Sequence, residues 1–99
     1  MRKETQPLKN RKFFINKAGD LISGKRADDY GDATESFRRI ASIWSAILDT
    51  DVSPEQVAAC MIGLKLGRLS NEMKHEDSWV DIIGYAALGG EASQNEKME

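Results

Sequence analysis

Apolar residues recur at helical spacing in four stretches of the chain, and no stretch alternates with the two-residue period of a β-strand. The most regular stretch follows Asp32 and Glu35, a pair that resembles a capping box at a helix start. Its apolar stripe comprises Phe37, Ile40, Ala41, Trp44, Ile47 and Leu48. This pattern predicts a helix with one buried face, which we number helix two.

Helix three is predicted from Pro54 to about Leu69, because Ser53 and Gln56 supply a capping box and proline is favoured at the first helical position. Its apolar residues lie nearly all round the helix, so we expect it to be the central and most buried element. Glycine costs helix stability, and the spacing of Gly63 and Gly67 therefore predicts a close approach of another backbone, such as that of Gly84.

The first and last helices are less regular. Helix one is expected from about Pro7 to Ser23, with Gly24 as its stop. Helix four begins after a cap at Asp77 or Ser78, and Trp79 starts the stripe that should face the core. The other members of that stripe are Ile82, Ile83 and Ala86. Gly89 and Gly90 should end this helix.

Together these patterns predict an all-α protein, a compact bundle of about four helices in one domain over residues 1–90. The polar residues 91–99 are expected to form a disordered tail. The single cysteine, Cys60, lies in an apolar run and should be buried, which fits a reducing compartment. No run reaches the length of a membrane span, so we expect no membrane association and a cytoplasmic location.

Charge is unevenly distributed along the chain. Residues 1–26 carry eight basic against two acidic residues, a net charge of +6, whereas residues 27–99 carry six against fourteen, a net charge of −8. The basic segment is expected to dock on an acidic face of its own fold or of a neighbouring subunit. Nucleic acid is the less favoured partner, because the acidic remainder would repel phosphates.

If the helices pack antiparallel, ionisable and aromatic groups meet at one end of the bundle. The candidate ligand-binding residues are Arg26, Tyr30, Asp32, Lys65, Arg68, His75, Asp77, Asp81 and Tyr85. The cations suit a phosphate, and the carboxylates could hold Mg²⁺, so Mg²⁺ is a candidate cofactor although no metal ligands are assigned. Alternatively, Lys65 or Arg68 pairs with Asp77 or Asp81 as an internal ion-pair lock. His75 is either a loop or capping residue or a ligand contact, and the tyrosines are either core edge or site.

Three motifs carry a family resemblance over about residues 26–90. They are R-x-x-D-Y-G-D, then V-x-x-x-M-x-x-x-K-x-x-R, then H-x-D-S-W-x-D-x-x-G-Y-A-A-L. In these motifs the chain resembles a family of small proteins encoded by tailed phages and prophages, which implies the host cytoplasm as its location. It is also similar to the all-α nucleoside triphosphate pyrophosphatases of the MazG type. Those enzymes hold Mg²⁺ with two acidic pairs; here Lys65 and Arg68 stand where one pair is sought, which puts hydrolysis in doubt more than nucleotide binding.

The sequence therefore leaves three functions open. The first is a phage accessory protein that binds a nucleotide-like or other phosphorylated small molecule, in a degenerate MazG-like fold and as a homo-oligomer. The second is an interaction protein that acts on a host factor and has no small-molecule site. The third is a Mg²⁺-dependent nucleotide pyrophosphohydrolase, so whether the protein is an enzyme stays open, with the balance against it.

Overall fold

The computed structural model describes residues 7–24 and 33–95, and four α-helices make up most of these two ranges. In chain order they are α1 (Arg11–Ser23), α2 (Ala33–Leu48), α3 (Pro54–Asn71) and α4 (Glu76–Asn95). No strand occurs within the two ranges. The predicted all-α class with about four helices is confirmed.

Helix α1 begins later than its apolar pattern suggested. The side chain of Asn10 accepts a hydrogen bond from the backbone N–H of Phe13 at 3.1 Å, so Asn10 is the N-cap and Arg11 the first helical residue. The predicted start at about Pro7 is therefore wrong, because the Asn10 cap sets the first helical residue at Arg11. Gly24 ends the helix as expected.

A short turn reverses the chain between α2 and α3, and one serine holds it together. The Ser45 hydroxyl donates to the carbonyl of Ala41 at 2.7 Å and accepts the backbone N–H of Val52 at 2.8 Å. Asp49 adopts a left-handed conformation with φ 56°, which starts the turn. These contacts fix the angle at which α3 returns along α2.

The capping box predicted for α3 is present. The Ser53 hydroxyl accepts the Gln56 N–H at 3.2 Å, and the Gln56 side chain accepts the Ser53 N–H at 2.9 Å. Two of the N–H groups at the helix start are satisfied in this way. The helix runs to Asn71, two residues beyond its predicted end.

The main core lies between α2 and α3, where buried side chains from both helices meet. Phe37 and Ala41 of α2 pack on Val57 and Ala58 of α3, and the half-buried Trp44 packs against the same cluster. The apolar stripe predicted for α2 thus faces the core over its first three turns. Its last residues, Ile47 and Leu48, are exposed.

The central element is α4, because it packs most extensively on α3 and α1 and also contacts α2. It packs antiparallel to α3. It runs parallel to α1, since Glu76 at its start binds Lys9 just before α1 and Lys17 in the middle of α1, whereas Gly84, two turns later, lies next to Ile22 near the end of α1. The two chain reversals also make α4 parallel to α2, and the Phe37 ring lies 6.2 Å from the Tyr85 ring.

The prediction that helix three is the most buried element is wrong. Cys60, expected in the core, is exposed, as are Gly63 and Gly67. A Cβ added at either glycine would meet nothing within 4 Å, so neither glycine serves close packing. A Cβ added at Gly84 would instead lie 3.2 Å from the Ile22 side chain of α1. Apolar residues lie nearly all round α3, but the other helices leave part of its surface uncovered. The sequence pattern alone does not show which part is covered.

Helix α4 is rotated relative to its predicted orientation. Ser78 and Val80 are buried, whereas Trp79 is 42 % exposed and Ala86 is also exposed. The predicted core face that begins at Trp79 is therefore wrong. Because α1 and α3 cover two separate sides of this helix, burial does not follow one simple stripe.

The predicted stop at Gly89 and Gly90 is also wrong, because α4 continues through both residues to Asn95. A Cβ added at Gly89 would lie 2.9 Å from the Cβ of Ala58, so the absence of a side chain lets α3 and α4 approach closely. Ala92 is buried one turn later. Residues 91–95 thus belong to the folded helix, and the rest of the expected tail lies outside the described residues.

Candidate functional site

The candidate site is the end of the α3–α4 hairpin, where a four-residue connector reverses the chain. The Glu72 N–H donates to the carbonyl of Arg68 at 3.1 Å, and the His75 N–H donates to the carbonyl of Glu72 at 3.1 Å. The indole N–H of Trp79 donates to the carbonyl of Met73 at 2.8 Å and ties the connector to α4. This backbone is therefore held in one geometry.

His75 caps the start of α4 with its imidazole ring. The backbone N–H of Ser78 donates to Nδ1 at 3.2 Å, as it would to an Asn or Ser cap, and the buried Ser78 hydroxyl lies 2.7 Å from the same nitrogen. A backbone N–H can only donate, so we assign the lone pair of the ring to Nδ1. When the ring carries a single hydrogen, that hydrogen then lies on Nε2.

Arg68 brings a second donor to the same point. Its Nη2 atom lies 3.3 Å from Nε2 of His75. With a hydrogen on Nε2, both atoms are donors, and neither can accept the hydrogen of the other. Two convergent donors of this kind suit an acceptor that bridges them, such as an oxygen of an anion.

Lys65 is used differently from Arg68, although both were predicted as ligand contacts. Its ammonium lies 2.9 Å from a carboxylate oxygen of Asp81. The side chain of Lys65 is 15 % exposed and that of Asp81 is 31 % exposed, so the pair is partly shielded from water. It joins the two helices of the hairpin about two turns from the connector, and this is the ion-pair lock that was the alternative prediction.

Glu76, the first residue of α4, is the acidic docking point for the basic first segment. Its two carboxylate oxygens bind Lys9 at 2.8 Å and Lys17 at 3.1 Å. The hydrogen bond from Lys9, and then that from Lys17, lower the pKa of the Glu76 carboxyl below its usual value. The ring of Phe13 lies between these lysines, 4.6 Å from the Lys9 ammonium and 5.6 Å from that of Lys17. Docking of the basic segment on its own fold is confirmed for these residues.

The remaining predicted site residues are not brought into this cluster. Asp77 is exposed at the start of α4. Tyr85 packs beside Phe37 in the core, roughly 15 Å along the helix axis from His75. Arg26, Tyr30 and Asp32 lie outside the described residues.

Sequence reasoning missed Glu76, Lys9 and Lys17 as partners, and it named Ser78 only as a possible cap. The spacing of Lys9, Phe13 and Lys17, four residues apart, was an available signal for a shared helix face. Its target on α4 could not be read from spacing, because α1 and α4 are distant in the sequence.

Neither a metal-binding cluster nor a membrane-spanning helix occurs in the described parts of the chain. Within residues 7–24 and 33–95, no group of three or more histidine, cysteine, aspartate or glutamate side chains is arranged to hold a metal ion. None of the helices in those ranges is both long and apolar enough to span a membrane.

Comparison with known proteins identifies the family. Residues 14–93 match the model of DUF6378, a domain of unknown function. The chain is 44 % identical over 76 residues to the Gene 55 protein of Mycobacterium phage L5, covering 76 % of this chain and 49 % of that protein. It is 38 % identical over 73 residues to the Gene 55 protein of Mycobacterium phage D29, covering 74 % and 48 %. The chain thus spans about half the length of these relatives, and no solved structure matches it.

The chain belongs to the DUF6378 family. Because both of these relatives are phage proteins, the predicted resemblance to a phage protein family is confirmed.

Proposed function

We propose that this member of the DUF6378 family binds a phosphate-bearing small molecule through Arg68 and His75 at the end of the α3–α4 hairpin. One observation carries the proposal. The Nη2 atom of Arg68 and the Nε2 atom of His75 converge to 3.3 Å, and the assignment of the ring lone pair to Nδ1, which caps α4, makes both of them donors. A phosphate oxygen placed beside the two nitrogens, within hydrogen-bond distance of each, would accept from both.

The electrostatic surroundings support an anion rather than a neutral ligand. Two carboxylates near the connector are paired, Asp81 with Lys65 and Glu76 with two lysines, so their repulsion of an anion is reduced. Glu72 in the connector and the exposed Asp77 form no ion pair with a described residue. His75 stands at the N-terminus of a 20-residue helix, where the helix dipole favours negative charge. An arginine also binds phosphate with more than one donor, which a lysine cannot do.

Within this proposal the ligand is a nucleotide-like molecule, and the hairpin belongs to a degenerate MazG-like fold. Hydrolysis with Mg²⁺ is a further step that the exposed Asp77 would have to support. We favour binding over hydrolysis because Arg68 and His75 supply donors for an anion, whereas Asp81, a possible Mg²⁺ ligand, is paired with Lys65.

The second candidate function is an interaction protein that acts on a host factor. The observation that favours it is the ion pair between Lys65 and Asp81 at 2.9 Å, which uses two of the predicted ligand contacts for internal structure. Under this alternative, Arg68 and His75 have no ligand, and phosphate compounds leave the protein unchanged.

The experiment is a calorimetric titration with inorganic phosphate, pyrophosphate and a nucleoside triphosphate, each with and without Mg²⁺. His75→Asn is the sharpest variant, because asparagine retains a capping oxygen for the Ser78 N–H but lacks the Nε2 donor. Arg68→Gln removes the guanidinium with its positive charge and leaves a shorter, neutral amide. Arg38→Gln is the matched control, since Arg38 is an exposed arginine that pairs with Glu35 on α2.

Each charge-assisted hydrogen bond is worth about 1.5–3 kcal/mol, so each site variant should weaken binding by roughly 10- to 150-fold. Arg38→Gln should bind like the unsubstituted protein. Equal affinities for all three variants would reject the site. Release of pyrophosphate or phosphate over time would establish the hydrolase, and no binding of any compound would favour the interaction protein.

A further inference from the structure

Trp79 places an aromatic ring at the end of α4 that carries the proposed anion site. It follows His75, the cap of α4, by four residues, which is about one helical turn. Residues at this spacing leave the same side of a helix, so the two side chains start from neighbouring positions. Trp79 is 42 % exposed, although tryptophan is among the side chains that gain most from burial. A large aromatic surface next to His75 is thus open to a ligand.

The Trp79 ring is held in one orientation. Its only polar hydrogen, on Nε1, is donated to the carbonyl of Met73 at 2.8 Å, and Met73 lies two residues before His75. This bond directs the indole back toward the connector, which is also the direction in which the side chains of a helix lean. The exposed part of the ring therefore offers apolar π surface in an orientation that a ligand does not have to fix.

The next residues on the same side of α4 are uncharged. Ile82 and Ala86 follow Trp79 at spacings of three and seven residues, and Ala86 is exposed. The exposed carboxylate of Asp77 lies about 160° round the helix from Trp79. A neutral ring therefore suits this side of the helix better than a second anionic group does.

Resting on the proposed function, we propose that the phosphate-bearing ligand also carries a flat aromatic ring of the nucleotide-base type, which stacks on the exposed face of Trp79. Arg68 and His75 bind the phosphates, and Trp79 binds the base. The two binding positions on α4 are about 6 Å apart along the helix axis, a separation that the ribose of a nucleotide can bridge. A phosphate compound without a base leaves Trp79 uncovered.

A stack of this kind has a characteristic strength and selectivity. Loss of the aromatic side chain under a nucleic-acid base lowers affinity by roughly 5- to 150-fold. Every base has a π face, so the contact distinguishes a ligand with a base from one without, and it does not choose strongly among bases. The site should therefore bind adenosine triphosphate (ATP) more tightly than tripolyphosphate, which has the same row of three phosphates and no ring.

Two variants of Trp79 separate the ring from its hydrogen bond. Trp79→Phe and Trp79→Leu both lose the donor to Met73, so any loosening of the connector is common to them, but only phenylalanine retains an aromatic face. Calorimetric titrations with ATP and with tripolyphosphate give two affinities for each protein, and their ratio is the readout. We expect ATP to be favoured by roughly 5- to 150-fold in the unsubstituted chain, by a smaller factor in Trp79→Phe and not at all in Trp79→Leu.

Tryptophan fluorescence observes the stack directly. The chain has two tryptophans, and Trp44→Phe removes the one that packs against the core, so that Trp79 becomes the only emitter. ATP should quench its emission until the site is saturated, with a midpoint equal to the calorimetric Kd, whereas tripolyphosphate should not quench it. Circular dichroism checks that every variant is folded, and the fluorescence decides the matter if Trp79→Leu is not.

The outcomes separate this inference from the proposed function. If both compounds bind equally tightly, Arg68→Gln weakens both and no quenching occurs, the stack is overturned and the anion site stands. A preference for ATP that Trp79→Leu retains also overturns the stack, because the base then lies on another surface. If neither compound binds to the unsubstituted chain, the proposed function and the stack are both overturned.

Discussion

Adding a single methyl group at Gly89 should destabilise the protein, although alanine is the better helix former. The new Cβ would lie 2.9 Å from the Cβ of Ala58, at least about 0.6 Å closer than the ~3.5–4.0 Å at which two carbon atoms pack. Overpacking of this kind costs about 1–3 kcal/mol, and the gain in helix propensity is about 1 kcal/mol. We therefore expect Gly89→Ala to lower the free energy of unfolding by about 1 kcal/mol.

Gly67→Ala is the matched control, because a Cβ at Gly67 meets nothing within 4 Å. It should raise the free energy of unfolding by about 1 kcal/mol, so the two glycine substitutions differ in sign and by roughly 2 kcal/mol. Urea unfolding followed by circular dichroism measures both. In a chain of this size, 1 kcal/mol corresponds to about 4–8 °C in Tm.

The exchanged pair Ala58→Gly with Gly89→Ala tests the contact itself. It restores one methyl group at the crossing of α3 and α4, so the double variant should recover most of the stability that Gly89→Ala loses. The reasoning is refuted if Gly89→Ala stabilises the chain as much as Gly67→Ala does, or if Ala58→Gly brings no recovery.

Three further outcomes are expected from the contacts described. Val57→Ala removes two methyl groups from a fully buried position and should cost about 1.5–3 kcal/mol in urea unfolding; a smaller loss would mean that α2 does not pack tightly on α3. A double-mutant cycle of Lys65→Met and Asp81→Asn should give a coupling free energy of about 1 kcal/mol, because the pair is partly shielded from water. If the effects of the two substitutions on the free energy of unfolding simply add, the ion pair does not contribute to stability. Because the folded pKa of Glu76 is lowered, its contribution to stability is present at neutral pH and is lost as the pH falls from the usual value of 4.5 through the lower folded pKa. Glu76→Gln should remove that part of the pH dependence of Tm. If Tm of this variant fell with decreasing pH below 4.5 as steeply as Tm of the unsubstituted chain, the role of Glu76 would be contradicted.

Local signals in the sequence were sufficient where one element decides its own structure. The stripe that begins at Phe37 gave α2, and Ser53 with Gln56 gave the first turn of α3. Both follow from contacts within a few residues of one another. The antiparallel return of α4 along α3 followed from the short connector between them.

Tertiary contacts decided what sequence reasoning missed. Gly89 and Gly90 carry the composition of a helix stop, yet packing of Gly89 on Ala58 continues the helix. Cys60 was assigned to the core because apolar residues lie nearly all round α3, yet Cys60 and Leu66 of this helix are exposed. Periodicity cannot tell which sides of a helix lack a neighbour.

The candidate site shows the same division. The sequence placed Lys65, Arg68, His75 and Asp81 at one end of the hairpin, because the order and lengths of the helices require it. The sequence could not show which cation pairs with Asp81, because Lys65 and Arg68 lie only about 60° apart around α3. That rotation directs Lys65 to Asp81 and Arg68 to His75.

The most direct test of the proposed function uses the imidazole of His75, which is the only histidine in the chain and therefore gives unambiguous signals. A two-dimensional ¹H–¹⁵N spectrum of the ring nitrogens distinguishes the two tautomers, and the same sample can be titrated with inorganic phosphate or pyrophosphate. Our account predicts a hydrogen on Nε2, a lone pair on Nδ1, and a shift of the Nε2 signal that saturates with added anion and is absent in Arg68→Gln. A hydrogen on Nδ1, or an Nε2 signal that no anion moves, would contradict it.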